Sequence, residues 1–231
     1  YDQSLNKVND KEVVMGKVTA MNKREVVVNI GYKSDGIVSM NEFRYNPDLK
    51  IGDEVEVYIE SQEDKKGQLI LSHKKARATR SWDRVNEALE KDMNIVCALN
   101  RCDRTPQYVS HQSVVGWTGR GCNKDNPYYL FKREDKAIYL NMIDGDNPEY
   151  IHDSMIDAAL SFMKEKLDMD EEVFIYCSLG ESRSPSIALM YLLENELINR
   201  DVESCRKFQK EYPKYKPNTG VFLYLKNRYK I

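Results

Sequence analysis

No run of about 18 uncharged apolar residues occurs in the 231-residue chain, which excludes a membrane-spanning helix. The opening residues, Tyr1-Asp-Gln-Ser4, bring no basic segment followed by an apolar one, so no secretory leader is expected. The missing initiator Met points to a start upstream or to trimming. Charge excess is lacking too: 35 basic against 37 acidic residues leave a net −2, and segments 1–92 and 93–231 are each near neutral. That argues against a strong nonspecific nucleic-acid footprint and leaves room for a local basic patch. Cysteine is absent before residue 97. The five cysteines, at 97, 102, 122, 177 and 205, are odd in number and without paired close spacing. They read as reduced thiols of a cytoplasmic protein, not as a disulfide framework. Cys97 and Cys102 would make half a metal site, but no second Cys/His pair answers them. Buried structural thiols are expected, with no metal and no cofactor.

What is present divides in two. With 41% hydrophobic and 31% charged residues, there is apolar material for real cores in a soluble chain. In residues 1–92, Val13–Ala20, Glu25–Ile30, Gly36–Ser39, Glu54–Ile59 and Gln68–Leu71 read as strands. Val55, Val57 and Ile59 alternate with Glu54, Glu56 and Glu60, a half-buried strand with one face in water. Turn residues separate these runs, notably Asp35-Gly36, Asn46-Pro47 and Gly52-Asp53. Five short strands predict an all-β closed barrel, since closure removes exposed edges. Beyond it, Trp82, Val85 and Leu89 give a following helix one apolar stripe.

Gly16-Lys-Val, Gly36-Ile-Val-Ser, Gly52-Asp-Glu-Val and Leu71-Ser-His-Lys-Lys75 resemble the S1-type RNA-binding repeat, an OB-fold module. Asn29-Ile-Gly-Tyr-Lys-Ser-Asp-Gly36 and the tail His73–Asp83 are most similar to the first repeat of the bacterial ribosomal protein of that name. The resemblance implies contact with RNA or with a ribosomal protein. Tyr32 and Phe43 are the nearest aromatics for base stacking, against packing of the barrel. Lys74, Lys75, Arg77, Arg80 and Arg84 form the densest basic group, either a solvated helix face or an RNA or partner contact.

At Asp92-Met93 the pattern changes, and Met93 reads as the initiator of a second module. Two domains are expected, 1–92 and 93–231, joined naturally or by engineering. In the second, Ile95–Leu99, Ser113–Trp117, Ala137–Leu140 and Val173–Tyr176 read as doubly covered strands. A helix capped by Ser154 presents Met155, Ile156, Ala159, Leu160, Met163 and Leu167 on one face. The fold class expected is α/β, with a mainly parallel central sheet flanked by helices. Two further helices are expected near 201–211 and 219–229.

The stretch that carries chemistry is Val173-Phe-Ile-Tyr-Cys177-Ser-Leu-Gly-Glu-Ser-Arg183-Ser-Pro185. A buried strand ends in a thiol, a short loop turns at Gly180, and a helix begins. Backbone N–H groups and a helix N-terminus make an anion site there, and an arginine fork can bind two oxygens of a phosphate. A thiol in that field is an activated nucleophile. With Ala158-Ala-Leu-Ser-Phe162 upstream and Pro217-Asn-Thr-Gly-Val-Phe222 downstream, the region resembles the dual-specificity class of cysteine-dependent protein tyrosine phosphatases.

That resemblance implies attack on phosphorus by Cys177 through a phosphocysteine. Arg183 and the N–H groups of Ser178, Leu179, Gly180, Glu181, Ser182 and Arg183 would hold the phosphate. Ser184 would donate to the sulfur, and Asp146 would be the general acid, with Asp144 its rival. Tyr176 stands where the family has His, so a less activated thiol is expected. The substrate would be a phosphoprotein or another phosphomonoester. The competing readings are an RNA 5′-phosphatase and a phosphate-binding or ribosome-directed adaptor without turnover.

Overall fold

The computed structural model describes residues 9–43, 46, 48–62, 69–100 and 124–231, without the side chains of Ser81 and Trp82. The chain forms two compact units, Tyr1–Arg80 and Ser81–Ile231.

In the first unit, β1 (Val13–Met21), β2 (Glu25–Asn29), β3 (Gly36–Ser39), β4 (Glu54–Ser61) and β5 (Leu69–Ser72) close into an OB-like barrel in the order β1-β2-β3-β5-β4. Only the β3–β5 pairing is parallel. Asn22 makes the first hairpin tight, its side-chain oxygen accepting from the N–H groups of Arg24 and Glu25 at 2.7 and 2.9 Å. Along β4 the alternation behaves as the residues dictate: Val55, Val57 and Ile59 are buried, and Glu54 and Glu60 face water. They join Val18, Val26, Val28 and Val38 in the barrel core, each aliphatic side chain contributing about 1.5–3 kcal/mol by burial.

Helix α1 (His73–Glu90) starts directly from β5. Ser72 Oγ accepts from Lys75 N at 3.1 Å, and the Glu42 carboxylate accepts from Lys74 N at 2.7 Å. A hydroxyl and an anion thus satisfy two orphan donors at the positive end of the helix. At its other end Asp92 adopts φ +56°, with Met93 N donating to Ala88 O at 3.0 Å. This is a left-handed cap, and it ends the helix at the point where the residue pattern changes. Of the expected stripe, Val85 is buried, whereas Leu89 is 56% exposed and Ala88 packs in its stead.

In the second unit, β6 (Asn94–Cys97), β7 (Phe131–Arg133), β8 (Ala137–Leu140) and β9 (Val173–Tyr176) form a sheet in the order β7-β8-β6-β9. The three strands β8, β6 and β9 are parallel, and β7 is an antiparallel edge. The strand expected at 113–117 lies outside the described residues. Val96, Ala98, Ile138 and Leu140 face a core shared with α2 (Asp153–Asp168), α3 (Arg183–Glu194) and α5 (Thr219–Tyr229). Ile95, Cys97, Leu99 and Ala137 face the other way and pack with Val85. Burial on both faces explains the unbroken apolar runs. A further helix, α4 (Val202–Glu211), is capped by Asp201, whose carboxylate accepts from Ser204 N at 2.7 Å. Helix α2 begins at Asp153 with His152 as its cap residue, two residues earlier than the expected Ser154 cap. Leu167, expected on its apolar face, is 40% exposed. No described helix is long and apolar enough to cross a membrane.

One buried histidine makes the barrel pH-sensitive. The His73 ring stacks on Phe43 with centroids 4.4 Å apart, and Nδ1 donates to Glu56 O at 2.5 Å. Burial, and to a smaller degree Arg77, lower its pKa below the ordinary value, against the opposing pull of Glu56 and Glu42. The unfolded chain therefore takes up the proton first. The stabilising contribution is complete above about pH 6.5 and is lost as pH falls from there through the folded-state pKa. Amide hydrogen exchange across β1–β5 is expected to slow less between pH 8 and pH 5.5 than the intrinsic trend dictates, the excess reporting lost protection. His73→Gln should remove that excess.

Candidate active site

Strand β9 delivers its last residues to opposite faces of the sheet, as the period of two requires. Tyr176 packs with Phe174, ring centroids 6.3 Å apart, on the Val85 side. Cys177 enters the opposite core and is 4% exposed. Burial and its hydrogen bond with Cys97 raise the Tyr176 pKa well above the ordinary range, so the phenol stays neutral. Tyr176 thus carries its aromatic ring on the face away from the thiol.

After Cys177 the chain turns at Gly180, φ +71°, a conformation that costs a residue with a Cβ about 1–2 kcal/mol. Helix α3 then starts at Arg183. Ser184, in its first turn, donates from Oγ to the Cys177 sulfur at 3.2 Å. The Arg183 guanidinium is 3% exposed. Its Nη1 donates to Met142 O at 3.0 Å and its Nη2 to Ser178 Oγ at 2.9 Å, so it reaches back over the first residue of the loop. A thiol, a hydroxyl aimed at it and a guanidinium are thereby gathered between Cys177 and Ser184.

Two other segments hold this loop. From the first, Asp144 Oδ1 accepts from Ser182 Oγ at 2.7 Å, and Oδ2 lies 3.7 Å from Arg183 Nε. The second is residues 212–218. Tyr212 donates its hydroxyl to Gly180 O at 3.0 Å, Lys216 N donates to Glu181 O at 2.8 Å, and Asn218 N donates to Ser182 Oγ at 3.0 Å. Asn218 also ties the two segments together, its side-chain amide donating to Asp144 O at 3.1 Å. Of the two acids weighed in the sequence, Asp144 is bound into the loop, whereas Asp146 stands exposed two residues on. Tyr212 and Lys216 drew no attention in the sequence; Asn218 belonged to a resembling motif with no role attached.

On the barrel, Phe43 is 2% exposed and stacked on His73, which makes it a core residue with no face to offer a base. This corrects the binding role considered for it. A ring that completes the barrel core next to the start of α1 gains more from burial than from stacking on a ligand. Tyr32 is half-buried, its hydroxyl donating to Gln62 at 3.0 Å and Lys33 lying 5.6 Å over its ring. Lys75 and Arg80 pair with Glu60 and Glu56, both at 2.8 Å. Lys74 is exposed and Arg77 half-buried on the same helix. On the outer surface, register sets Ile37 of β3 between Val27 of β2 and Ile70 of β5.

Residues 7–74 match the model of the S1 RNA binding domain. The S1 module is also what the curated relatives share with this chain. Small ribosomal subunit protein bS1 of Mycolicibacterium smegmatis is 36% identical over 97 residues, 39% of this chain and 20% of that protein. The bS1 of Rhizobium meliloti is 42% identical over 81 residues, 34% of this chain and 14% of that protein. The chain therefore spans a fifth or less of the relatives it matches. Among solved structures, the human tyrosine phosphatase-like serine/threonine/tyrosine-interacting protein aligns at 13% identity and a TM-score of 0.39. It covers 75% of this chain and 89% of that one, a likeness too low to fix the fold.

Among the described residues, no group of three His, Cys, Asp or Glu is arranged to hold a metal. His152 is the exposed residue preceding α2, and His111, Cys102 and Cys122 lie outside the described residues.

The loop support predicts a stability defect at a glycine. Gly220 N donates to Gly145 O at 3.1 Å, and a Cβ on Gly220 would come within 2.9 Å of the Asn147 backbone. Gly220→Ala must push the Asp144 segment away, at a cost of about 1–3 kcal/mol. Chemical unfolding should show that loss. The rate of Cys177 alkylation should change with it, because the displaced segment carries Asp144.

Proposed function

We propose that residues 93–231 form an α/β domain of the dual-specificity phosphatase type, joined to an S1-type module in residues 1–92. The domain hydrolyses phosphomonoesters through a Cys177 phosphocysteine. The observation that carries this reading is the Ser184 hydroxyl 3.2 Å from the Cys177 sulfur, at a strand-to-helix turn that also fixes Arg183. A structural cysteine in a core needs neither group. A nucleophile that must leave again as a thiolate needs both a donor to its sulfur and a cation beside the phosphate.

In the first step the Cys177 sulfur attacks phosphorus and the alcohol oxygen departs. Asp146 supplies its proton, a role that suits an exposed acid whose carboxyl can meet the leaving group. Asp144 is the lesser candidate, since Ser182 and Arg183 already engage its oxygens. Arg183 and the backbone N–H groups of residues 178–183 take the equatorial oxygens, where charge develops. In the second step water attacks the phosphocysteine and passes a proton to the Asp146 carboxylate, the S–P bond breaks, and Ser184 stabilises the returning thiolate. No cofactor enters either step. The substrate class proposed is a phosphotyrosine, phosphoserine or phosphothreonine protein in the cytoplasm.

Hydrolysis of para-nitrophenyl phosphate tests the chemistry. Cys177→Ser should abolish turnover. Arg183→Lys, which keeps the charge but loses the planar fork, should lower kcat by about 10²–10³. Ser184→Ala should slow the second step selectively and leave a burst of one nitrophenolate per enzyme. Asp146→Asn should cost activity on this ester, while Asp144→Asn should chiefly loosen the loop. Turnover undiminished in Cys177→Ser would sink the proposal. Comparing phosphopeptides with 5′-phosphorylated RNA then selects between protein and RNA as substrate.

We further infer that the S1 module contacts RNA through the exposed start of α1. Support comes from the match over residues 7–74 and from Lys74 and Arg77 on one helix. Affinity for a single-stranded RNA should fall with salt. Lys74→Ala should flatten the log–log slope by about 0.7. Lys75→Ala and Arg80→Ala should change it less, since their charges already face Glu60 and Glu56.

A further inference from the structure

Behind the phosphate loop lies a cavity of about 570 Å³, within the range of about 300–1,000 Å³ that small-molecule sites occupy. Its walls come from three helices and the segment that joins two of them. Leu189 of α3, Val202 of α4, and Phe222 and Leu225 of α5 make it predominantly apolar. Val202 and Phe222 are 52% and 51% exposed, so two apolar side chains stand open to solvent at this site. The charged residues that line it are Arg206 of α4 and Lys226 of α5, both exposed and both cationic. No acidic side chain is among the described residues lining it. An apolar chamber with two cations suits a molecule with an apolar body and a single negative head.

The cavity shares a wall with the loop support. In residues 212–218, Tyr212, Lys216 and Asn218 each hold one residue of the phosphate loop. Tyr215 and Pro217, which alternate with them, line the cavity. Tyr215 is buried, and its hydroxyl is 2.9 Å from Ser186 Oγ in α3. Its carbonyl accepts from Gln209, another cavity residue, at 3.2 Å. A ligand that presses on Tyr215 or Pro217 must therefore act on the same short segment that grips Gly180, Glu181 and Ser182.

We propose that this cavity binds an amphiphilic carboxylate, and that its occupancy is transmitted to the phosphate loop through residues 212–218. Binding stands on the cavity alone; its regulatory meaning rests on the phosphatase reading. The cations take the carboxylate, the apolar walls take the chain, and the segment couples the two sites by packing. Coupling requires only that the ligand favour one arrangement of the segment over another.

The test uses the full chain and decanoate, below its micellar range, with decanol as the uncharged control. Calorimetric titration should show saturable decanoate binding, weakened about tenfold in Arg206→Glu/Lys226→Glu with folding unchanged by circular dichroism. No saturable binding, equal binding by the charge-reversed variant, or equal affinity for decanol would each overturn the site. The second arm follows alkylation of Cys177 by iodoacetamide, read by mass spectrometry of its peptide, which needs no turnover. Saturating decanoate should change that rate by about threefold or more in the wild type and by less in Tyr212→Phe, which cuts the contact of the segment with Gly180 O while leaving the cavity lining intact. An unchanged rate with decanoate bound would overturn the coupling. Absence of phosphatase activity would leave both measurements intact and bear only on the catalytic reading.

Discussion

Successive side chains of a strand face opposite ways, and at the end of β9 this rule separates Tyr176 from Cys177. The arrangement of residues 177–184 answers to that separation. The aromatic residue goes to the side where Cys97 and Phe174 lie, while the thiol goes to the side where α3 starts. A group on the Tyr176 ring is thus in a different core from the sulfur, and a substitution there cannot be judged by its distance in sequence. The loop must be ordered by something else. Here that something is a pair of remote segments, one centred on Asp144 and one on residues 212–218.

The two segments do different physical work. Asp144 brings a negative charge to a buried guanidinium, at 3.7 Å from Nε, while its other oxygen accepts from Ser182. A buried cation without such compensation is costly, so Asp144 helps make a 3%-exposed Arg183 tolerable. Residues 212–218 contribute mainly backbone satisfaction. The loop carbonyls of Gly180 and Glu181 are paired by Tyr212 and Lys216. In the proposed reading the loop N–H groups are kept for an anion, which needs its carbonyls tied down from behind.

Much of this organisation was legible in the residues. The alternation of Val55, Val57 and Ile59 located a barrel strand, and the apolar run at 173–176 located the strand that carries Cys177. The approach of Ser184 to the sulfur followed from the motif and its resemblance. What was not legible depended on long-range closure. Tyr212 lies 32 positions from Gly180, and no local pattern marks a phenol that will donate to a distant carbonyl. Phe43 could be weighed as a stacking ring or a core ring from sequence, because only the His73 contact decides between them. Leu89 and Leu167 failed for a shared reason. Both sit in the last turn of a helix, where periodicity continues on paper but the core has already ended.

The same reasoning separates the two acids of the turn at 143–147. A residue that gives up a proton in one step and recovers it in another must exchange partners without dismantling its surroundings. Asp144 suits that proposed role less, since moving its carboxylate would release Ser182 and give up its approach to Arg183. Asp146 is the better proposal for it, being exposed and carried on a turn whose backbone accepts the Gly220 N–H at Gly145 O. Under the proposed phosphatase reading, a clamp and a proton donor would stand two residues apart: the fixed carboxylate sets where the turn lies, and the exposed one is left available to a substrate oxygen.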